Sequence, residues 1–486
     1  VDTSRISDGE VYMKAAFHTL GCKVNQYETE AIKEEFAARG AEIVGEDDWA
    51  DVYVINTCTV TNMADRKSRQ YIRRMKKLNP QGLMVVTGCY AQVGAEDLEK
   101  MPDVDMIVGN NLKSQICQMV FQELGRKQSH ANEEKCGDPY DTDAENPQTD
   151  IEKIGKIEDI LGYSELSSYE DMGIVTSGES HMSRAYIKVQ EGCDRFCSYC
   201  LIPYARGGIR SRSVRSIVQE AEELLSRGYR ELVLTGINTA LYAMEDGFEF
   251  DRRADEQDLS GIEIAIKRVN ELPGDFRIRL SSLEPNVVDK EHVERLLRYE
   301  KLCHHLHLAL QAGSDHVLGL MNRNYTREEY LEIVRALREK DPLFGITTDI
   351  IAGFPGETEE DFQDTLDAVD QAGFGRVHAF KYSPRKGTRA YAAGDTVDGN
   401  EKNRRARLLE EAGEESARAF FRKNLGTTAR VLVETVEDGT GEGYTENYIR
   451  VRFKADANTR QGEFQNVRLV GIYDEGCLGE AAQEGR

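Results

Sequence analysis

Segments with strand character alternate with segments of helical spacing in two separate series along this chain. That alternation confines it to parallel sheets covered by helices. In the first series, Lys14–Leu20, Asp51–Asn56, Leu83–Thr87 and Val104–Val108 read as strands, with helices over about Glu28–Arg39 and Ala64–Leu78. A polar, acidic stretch then runs from about 128 to 180 and reads as a partly disordered linker. The second series places strands at Ala185–Gln190, Glu231–Leu234, Phe276–Leu280, His305–Leu310, Ile346–Ile351 and Val377–Tyr382. A βα unit repeated at this length suggests a partial or complete (β/α) barrel. Beyond a charged helix over Glu401–Asn424, Ala429–Val436, Tyr448–Phe453 and Val467–Tyr473 alternate as strands between Gly-rich turns, the pattern of a small β-barrel. The expected fold class is α/β: an open parallel α/β domain over 13–127, the linker over 128–180, a (β/α) barrel over 181–424 and an all-β barrel over 425–477.

The 486 residues carry 62 Lys and Arg against 86 Asp and Glu, a net charge of −24. Such a balance excludes a general nucleic-acid glue, so RNA contact would need local basic islands, shape or stacking. No run approaches the roughly 18 apolar residues of a membrane span, and Val1–Tyr12 lacks the layout of a secretory signal. Residues 1–12 read as an addition or a loose extension ahead of Met13. The expected setting is cytoplasmic, where the 10 cysteines stay reduced and serve metals or catalysis rather than disulfides.

Cys193, Cys197 and Cys200 form a C-x3-C-x2-C run. Soft thiolates so closely spaced suit iron–sulfur or zinc binding. A structural zinc would need a fourth ligand, such as His181 or a distant residue. Three thiolates on a four-iron cube leave one iron open to a chelating small molecule. Cys22, Cys58 and Cys89 are too widely spaced for a loop motif, yet each follows a strand: FHTLGC, YVINTC and VVTGC. Ligands of an open parallel sheet bind at the carboxyl ends of its strands, so three successive βα units would gather these thiols at one edge. The alternative is three ordinary half-buried cysteines. Cys117, Cys136, Cys303 and Cys477 fit neither set and read as packing or surface thiols.

The stretches LGCKVNQYETEA, VINTCTVT, TGCYAQ, EGCDRFCSYCLIPYARGGIRSR and TTDIIAGFPGE together resemble those of the radical S-adenosylmethionine (SAM) methylthiotransferases, from about Met13 to Tyr473. The resemblance implies an N-terminal domain with an auxiliary [4Fe-4S] cluster on Cys22, Cys58 and Cys89. It further implies a radical SAM barrel whose [4Fe-4S] cluster sits on Cys193, Cys197 and Cys200, and a C-terminal TRAM domain. These six cysteines are then the catalytic set, and SAM is consumed twice: as methyl donor to sulfur, and as source of the radical that takes hydrogen from the substrate. Tyr199 would lie beside the cofactor, Gly236 and Asn238 near the methionine moiety, and Ser282, Gln311 and Asp349 at the barrel mouth. Gly353 and Pro355 would shape the adenine pocket. Four strand ends rich in Gly, Ser or polar residues agree with a ligand-lined rim, although turns favour such residues anyway.

Lys23 after Cys22, with Leu20, Val24, Gln26 and the segment Gly443–Tyr448, resembles the branch that methylthiolates N6-threonylcarbamoyladenosine beside the tRNA anticodon. The same chemistry on N6-isopentenyladenosine or on a ribosomal-protein aspartate stands as the alternative, and a non-enzymatic iron–sulfur or zinc protein as the rival of another class. Expected partners are the tRNA anticodon stem-loop, an electron donor such as flavodoxin or ferredoxin, and a sulfur source, with no membrane and a monomeric chain. For RNA contact the basic helix bearing Arg66, Lys67, Arg69, Arg73 and Arg74 can meet phosphates, or be a plain solvated face. Arg206, Arg210, Arg212 and Arg215 would serve phosphates or the SAM carboxylate. In the acidic C-terminal barrel, Tyr444, Tyr448 and Arg450 are candidates by stacking and shape.

Overall fold

Strands buried on both faces read as nearly unbroken apolar runs, and VYVINT and LMVVTG are of that kind. In the computed structural model both are fully buried as β3 (Val52–Thr57) and β4 (Leu83–Gly88). The structure describes residues 13–135, 157–158, 160–173, 183–285 and 290–482, with a short pairing of Ile6–Ser7 and Glu10–Val11. The chain divides into two compact units, Val1–Ser177 with Tyr204–Gly207, and Gly178–Pro203 with Gly208–Arg486.

In the first unit β1 (Lys14–Thr19), β2 (Glu42–Val44), β3, β4, β5 (Met106–Val108) and β6 (Ile157–Glu158) form a parallel six-stranded sheet in the order β2-β1-β3-β4-β5-β6. Alternate residues feed opposite faces. Phe17, Val54 and Val85 pack under α1 (Lys23–Ala38) and α3 (Ile116–Lys135) with Phe36 and Val120, while Tyr53, Ile55 and Val86 meet Ile72 and Met75 of α2 (Asn62–Leu78). Within the stretch read as a partly disordered linker, residues 128–135 continue α3, and Ile157–Glu158 adds the last strand to the sheet. Residues 160–173 pack on the same unit, with Gln92 donating to the Leu161 carbonyl (2.7 Å) and the Ser114 hydroxyl to Glu170 (2.8 Å). The remainder of the linker, most of the N-terminal extension, Cys136 and His181 lie outside the described residues.

The second unit contains all six expected barrel strands: β7 (Arg184–Lys188), β8 (Glu231–Thr235), β9 (Arg277–Leu280), β11 (His305–Leu308), β12 (Gly345–Ala352) and β13 (Arg376–Lys381). A two-residue strand, β10 (Ser282–Leu283), continues β9. The strands run parallel as β7-β8-β9 and β10-β11-β12-β13, and a bridge between Ile278 and Leu302 spans the break. A short helix, α4 (Ile202–Arg206), follows the cysteine run. The long helix α5 (Gly399–Asn424) contributes Leu409 to the (β/α) core and Phe420 and Phe421 to the core of a closed five-stranded barrel. That barrel orders β14 (Thr428–Glu437), β15 (Thr440–Tyr444), β16 (Arg450–Lys454), β17 (Phe464–Tyr473) and β18 (Gly476–Ala481) as β14-β15-β16-β18-β17. The expected division at residue 425 separates two sheets but not two compact units.

Buried charge ties the two barrels together. Glu231 has no exposed side-chain surface and pairs with Arg184 (2.8 Å), Arg277 (2.5 Å) and Arg279 (2.9 Å). Burial alone would raise its carboxyl pKa, but the three guanidinium groups win and hold it well below the usual range. The same arginines donate onward to carbonyls of the β15–β16 loop, Arg277 to Tyr444 (3.0 Å) and Arg279 to Glu446 (3.1 Å).

Candidate functional site: two trios of thiols

Register explains why three distant cysteines converge in the first unit. Thr19 pairs with Asn56, and Thr57 with Gly88. Cys22, Cys58 and Cys89, which come just beyond these strand ends, therefore share one carboxyl edge of the sheet. All three are free thiols; Cys22 is exposed, Cys58 and Cys89 buried. Gly21, at φ +102°, leaves the room this needs, because an added Cβ would lie 2.8 Å from the Cys58 Sγ. Burial, with the neighbouring thiols Cys89 and Cys22, pushes the Cys58 thiol up to about 12, so a metal taking the proton's place is what would make a thiolate there.

A polar lattice beneath the thiols fixes the three loops. Asn25 donates to the carbonyls of Leu20 (2.7 Å) and Thr57 (3.0 Å), Asn56 donates to the Asn25 carbonyl (3.0 Å), and the Thr57 hydroxyl donates to Thr87 (2.6 Å). Arg206 belongs to this unit although it follows the second cysteine run. Its Nε donates to the Cys89 Sγ at 3.3 Å, and its terminal nitrogens reach Glu28 (2.8 and 2.9 Å) and Asn25 (2.7 Å). Lys113 closes a short ion pair on the same Glu28. The sequence reading assigned none of Asn25, Glu28, Asn56 and Lys113, and it gave Arg206 to an external anion. The available signal was polar residues inside strand and helix positions that otherwise read as core.

In the second unit Cys193, Cys197 and Cys200 lie half-buried on the loop after β7. Phe196, at φ +45°, turns that loop, and its carbonyl accepts from Arg389 (3.2 Å). Arg323 donates to the Cys197 Sγ at 3.4 Å and to Glu284 at 3.1 Å, and Glu284 also accepts from Arg195 (3.0 Å) and Asn238 (2.9 Å). Glu284, which sequence placed only at the end of a strand segment, is thus the hub. Burial, chiefly, pushes the Cys193 and Cys200 thiols up to about 12.

Of the predicted cofactor residues, Gly236, Asn238, Gln311, Gly353 and Pro355 follow the carboxyl ends of strands, Tyr199 lies on the cysteine loop, Ser282 opens β10 and Asp349 lies within β12. Asn238 receives a brace from Gln190 at its backbone N–H (3.0 Å), while its buried Oδ1 has no partner among the described residues. Gly236 abuts Gln190 so closely that a Cβ would fall 2.9 Å from its Oε1. Tyr199 meets Phe354 edge to face at 6.2 Å, and burial raises its phenol well above the usual value. Gly353, at φ +73°, gives its N–H to Glu357 (2.7 Å), and Pro355 beside it is buried. The Ser282 carbonyl accepts from Thr239 (2.9 Å), and Gln311, at φ +65°, bridges backbone to Asp349.

Asp349 lies 3.3 Å from His307 Nε2, and with His378 they form a trio whose ligand atoms all lie within 4.8 Å of one another. Burial opposes ionisation of Asp349, but the His307 hydrogen bond and the charges of His307 and His378 outweigh it and lower its pKa. The registers His307–Thr347 and Asp349–His378 put all three on one face of neighbouring strands.

Both thiol trios fit an iron–sulfur cluster by donor chemistry: three soft, free thiols, each set with an N–H aimed at one sulfur. At the loop of Cys193, Cys197 and Cys200, Glu284 links Arg323 to Asn238, whose unpartnered amide oxygen is a suitable acceptor for a SAM amino group.

The RNA candidates divide. On α2, Arg66, Lys67 and Arg73 are exposed with no ion pair among the described residues, whereas Arg69 donates to Tyr90 (2.6 Å) and Arg74 pairs with Asp47 (2.6 Å). Tyr444 and Tyr448 stack at 4.9 Å, with His305 on Tyr448 at 4.6 Å, and Arg450 is held by Glu442 and Glu475. Tyr448 is thus stacked between Tyr444 and His305, and Arg450 is engaged by two carboxylates. Arg210 and Arg212 are likewise buried on Glu191 and Glu220.

The radical SAM superfamily profile matches residues 187–369, and that of "Uncharacterized protein family UPF0004" matches residues 14–109. Similar relatives include the "Threonylcarbamoyladenosine tRNA methylthiotransferase MtaB" of Aquifex aeolicus, 37% identical over 95% of this chain and 100% of its own length. The protein of that name from Bacillus subtilis is 37% identical over 95% of each chain. A "tRNA-2-methylthio-N(6)-dimethylallyladenosine synthase" of Finegoldia magna is 33% identical, covering 95% of this chain and 93% of its own. Among solved structures, the radical SAM methyltransferase TsrM of Kitasatospora setae shares the fold at 15% identity, with a TM-score of 0.53 over 78% of this chain and 77% of that one. With a strand-edge thiol trio in one unit, a C-x3-C-x2-C loop in the other and relatives matched nearly end to end, the chain belongs to the radical SAM methylthiotransferase family.

Proposed function

We propose that this chain methylthiolates a tRNA adenosine, converting N6-threonylcarbamoyladenosine beside the anticodon to its 2-methylthio form, with two [4Fe-4S] clusters and SAM. The observation that carries the reading is the second trio: Cys22, Cys58 and Cys89 brought to one sheet edge, apart from the radical SAM loop. A radical SAM enzyme needing only hydrogen abstraction has no use for it, whereas sulfur transfer does. Bound at these trios, the clusters and SAM supply reductive carbon–sulfur cleavage and a site that carries sulfur.

The residues then divide the labour. Cys193, Cys197 and Cys200 hold the first cluster, and Glu284 fixes Asn238, Arg195 and Arg323 around it. Tyr199, Phe354 and the turn at Gly353 exclude water from one side of the SAM position. Ser282, Gln311 and Asp349 form the floor on which the base would lie, with Asp349 held by His307. RNA phosphates would meet Arg66, Lys67 and Arg73 of α2, a local island on an acidic protein.

The threonylcarbamoyl choice is supported by 37% identity to two relatives so named. Isopentenyladenosine is the second reading, supported by the Finegoldia relative at 33%. Mass spectrometry of tRNA nucleosides from cells with and without the gene tests both. Loss of 2-methylthio-N6-threonylcarbamoyladenosine on deletion is expected. Loss of the methylthio group from isopentenyladenosine alone would transfer the proposal to the second substrate. Purified protein should carry about eight irons, falling to about half when Cys22, Cys58 and Cys89 are replaced by Ala.

A further inference from the structure

Three charged side chains in the first unit are sealed from solvent beside the thiol trio. Arg206 and Glu28 are each 1% exposed and Lys113 is 0% exposed. Arg206 grips both oxygens of Glu28 and Lys113 pairs with one of them, while burial, with the Arg206 charge, pulls the Lys113 pKa below its usual value. A sealed guanidinium is costly unless anions and acceptors surround it. Besides Glu28, the Arg206 guanidinium faces the Cys89 Sγ, 3.3 Å from its Nε. The guanidinium cannot swing away, because Asn25 holds its other terminus at 2.7 Å while also bracing the loops of Cys22 and Cys58.

We infer that Arg206 is a positioning residue of the auxiliary iron–sulfur site: its N–H and fixed positive charge stabilise the Cys89 thiolate and raise the potential of the cluster, with Glu28 limiting that rise. Resting on the proposed second cluster, the inference names the group that sets its electronics. Hydrogen bonds to sulfur and net local charge are established levers on such potentials. A cation favours the state with one more electron. Removing Arg206 therefore lowers the potential and removing Glu28 raises it. Damage to the fold would not produce opposite signs.

The test uses the full chain with Cys193, Cys197 and Cys200 replaced by Ala, reconstituted anaerobically with iron and sulfide, so that a single cluster is read. Potentiometric titration with dithionite, followed by electron paramagnetic resonance, measures its one-electron couple. At the midpoint of that parent, R206Q should reduce the ratio of reduced to oxidised cluster at least tenfold, about 59 mV for one electron. E28Q should raise the ratio. Unchanged midpoints in both variants, at full iron and sulfide content, would overturn the inference and leave the second cluster standing. A parent that binds no iron would instead sink the second cluster itself. Should R206Q lose its cluster while keeping its circular dichroism, recovery in Arg206→Lys supports the role of the charge, and failure to recover counts against it.

Discussion

At the scale of single residues, the two thiol sites share one device. In each, a guanidinium N–H meets one cysteine sulfur while a buried glutamate holds the guanidinium: Arg206 with Cys89 and Glu28, Arg323 with Cys197 and Glu284. Glu284 also steers Asn238, whose buried Oδ1 is unmatched among the described residues. An unmatched buried acceptor costs free energy until a donor arrives. Asn238→Ala should therefore weaken SAM binding by roughly 1.5–3 kcal/mol, the value of a hydrogen bond to a charged partner, with iron content unchanged. Equilibrium dialysis against SAM checks this, and equal affinity in the variant would remove Asn238 from the cofactor site. Sequence exposed the six cysteines because their spacing and strand-end placement are periodic signals. It did not expose Glu28, Lys113 or Glu284, since a charged residue in a helix or at a strand end looks the same whether it faces water or a neighbour's guanidinium.

At the scale of elements, each cysteine of the first trio depends on the turn that carries it. Gly88, at φ +95°, ends β4, and an added Cβ would lie 2.4 Å from the Thr57 carbonyl oxygen and 2.5 Å from Asn56 Oδ1. Gly88→Ala should cost about 1–3 kcal/mol in backbone strain and displace Cys89. The expected readout is a lower urea midpoint together with loss of about half the iron. A different element predicts a pH effect. Glu263, with no exposed side-chain surface, caps the helix Gly261–Asn270 through the Ser260 N–H (2.8 Å) and pairs with Arg295 (2.6 Å) and His292 (3.1 Å). Burial would raise its pKa, but those partners bring it to about 2. A carboxyl with a depressed folded pKa contributes stability above its unfolded pKa and loses it as pH falls through the folded one. The stability gap between the parent and Glu263→Gln should thus be of order 3 kcal/mol near neutrality and close between about pH 4.5 and 2, as urea titrations of the metal-free chain would show. The elements that periodicity missed have physical reasons. β15 reads TGEGY because a Cβ at Gly443 would run into the Leu432 carbonyl and one at Gly441 would fall 2.7 Å from the Phe453 ring, so packing demands residues of low strand propensity. β2 and β6 are too short, at three and two residues, to show alternation.

Over the whole molecule, a net charge of −24 sets the terms on which RNA can approach. Long-range repulsion is screened by salt, whereas neutralising phosphates releases counterions and makes binding weaken as salt rises. Binding of an anticodon stem-loop should therefore be strongly salt-dependent, and its slope should reside in α2. Replacing Arg66, Lys67 and Arg73 with Ala should reduce the slope of log affinity against log salt by roughly 0.7–0.9 for each phosphate no longer neutralised, as fluorescence anisotropy across a potassium chloride series would show. An unchanged slope would move the RNA to another face. The molecule's division was only partly legible. The acidic stretch that composition marks as a boundary does separate the two α/β series, but the first unit also takes back Tyr204–Gly207 from beyond the second cysteine run. No compositional signal accompanies those four residues, which are held by the Arg206 contacts to Cys89, Glu28 and Asn25 and by the Asn110 amide on the Ala205 carbonyl (2.6 Å).

That small excursion of the chain has a consequence for biosynthesis. A ribosome that has released the polypeptide as far as residue 180 has made every strand of the first sheet, yet the guanidinium that Glu28 awaits is still untranslated. Splitting the gene at the acidic stretch would give a leading half with Lys113 as its sole remaining partner from this triad and a trailing half with Arg206 stranded in water. Made alone, the leading half would hold Cys22, Cys58 and Cys89 without the guanidinium that donates to Cys89.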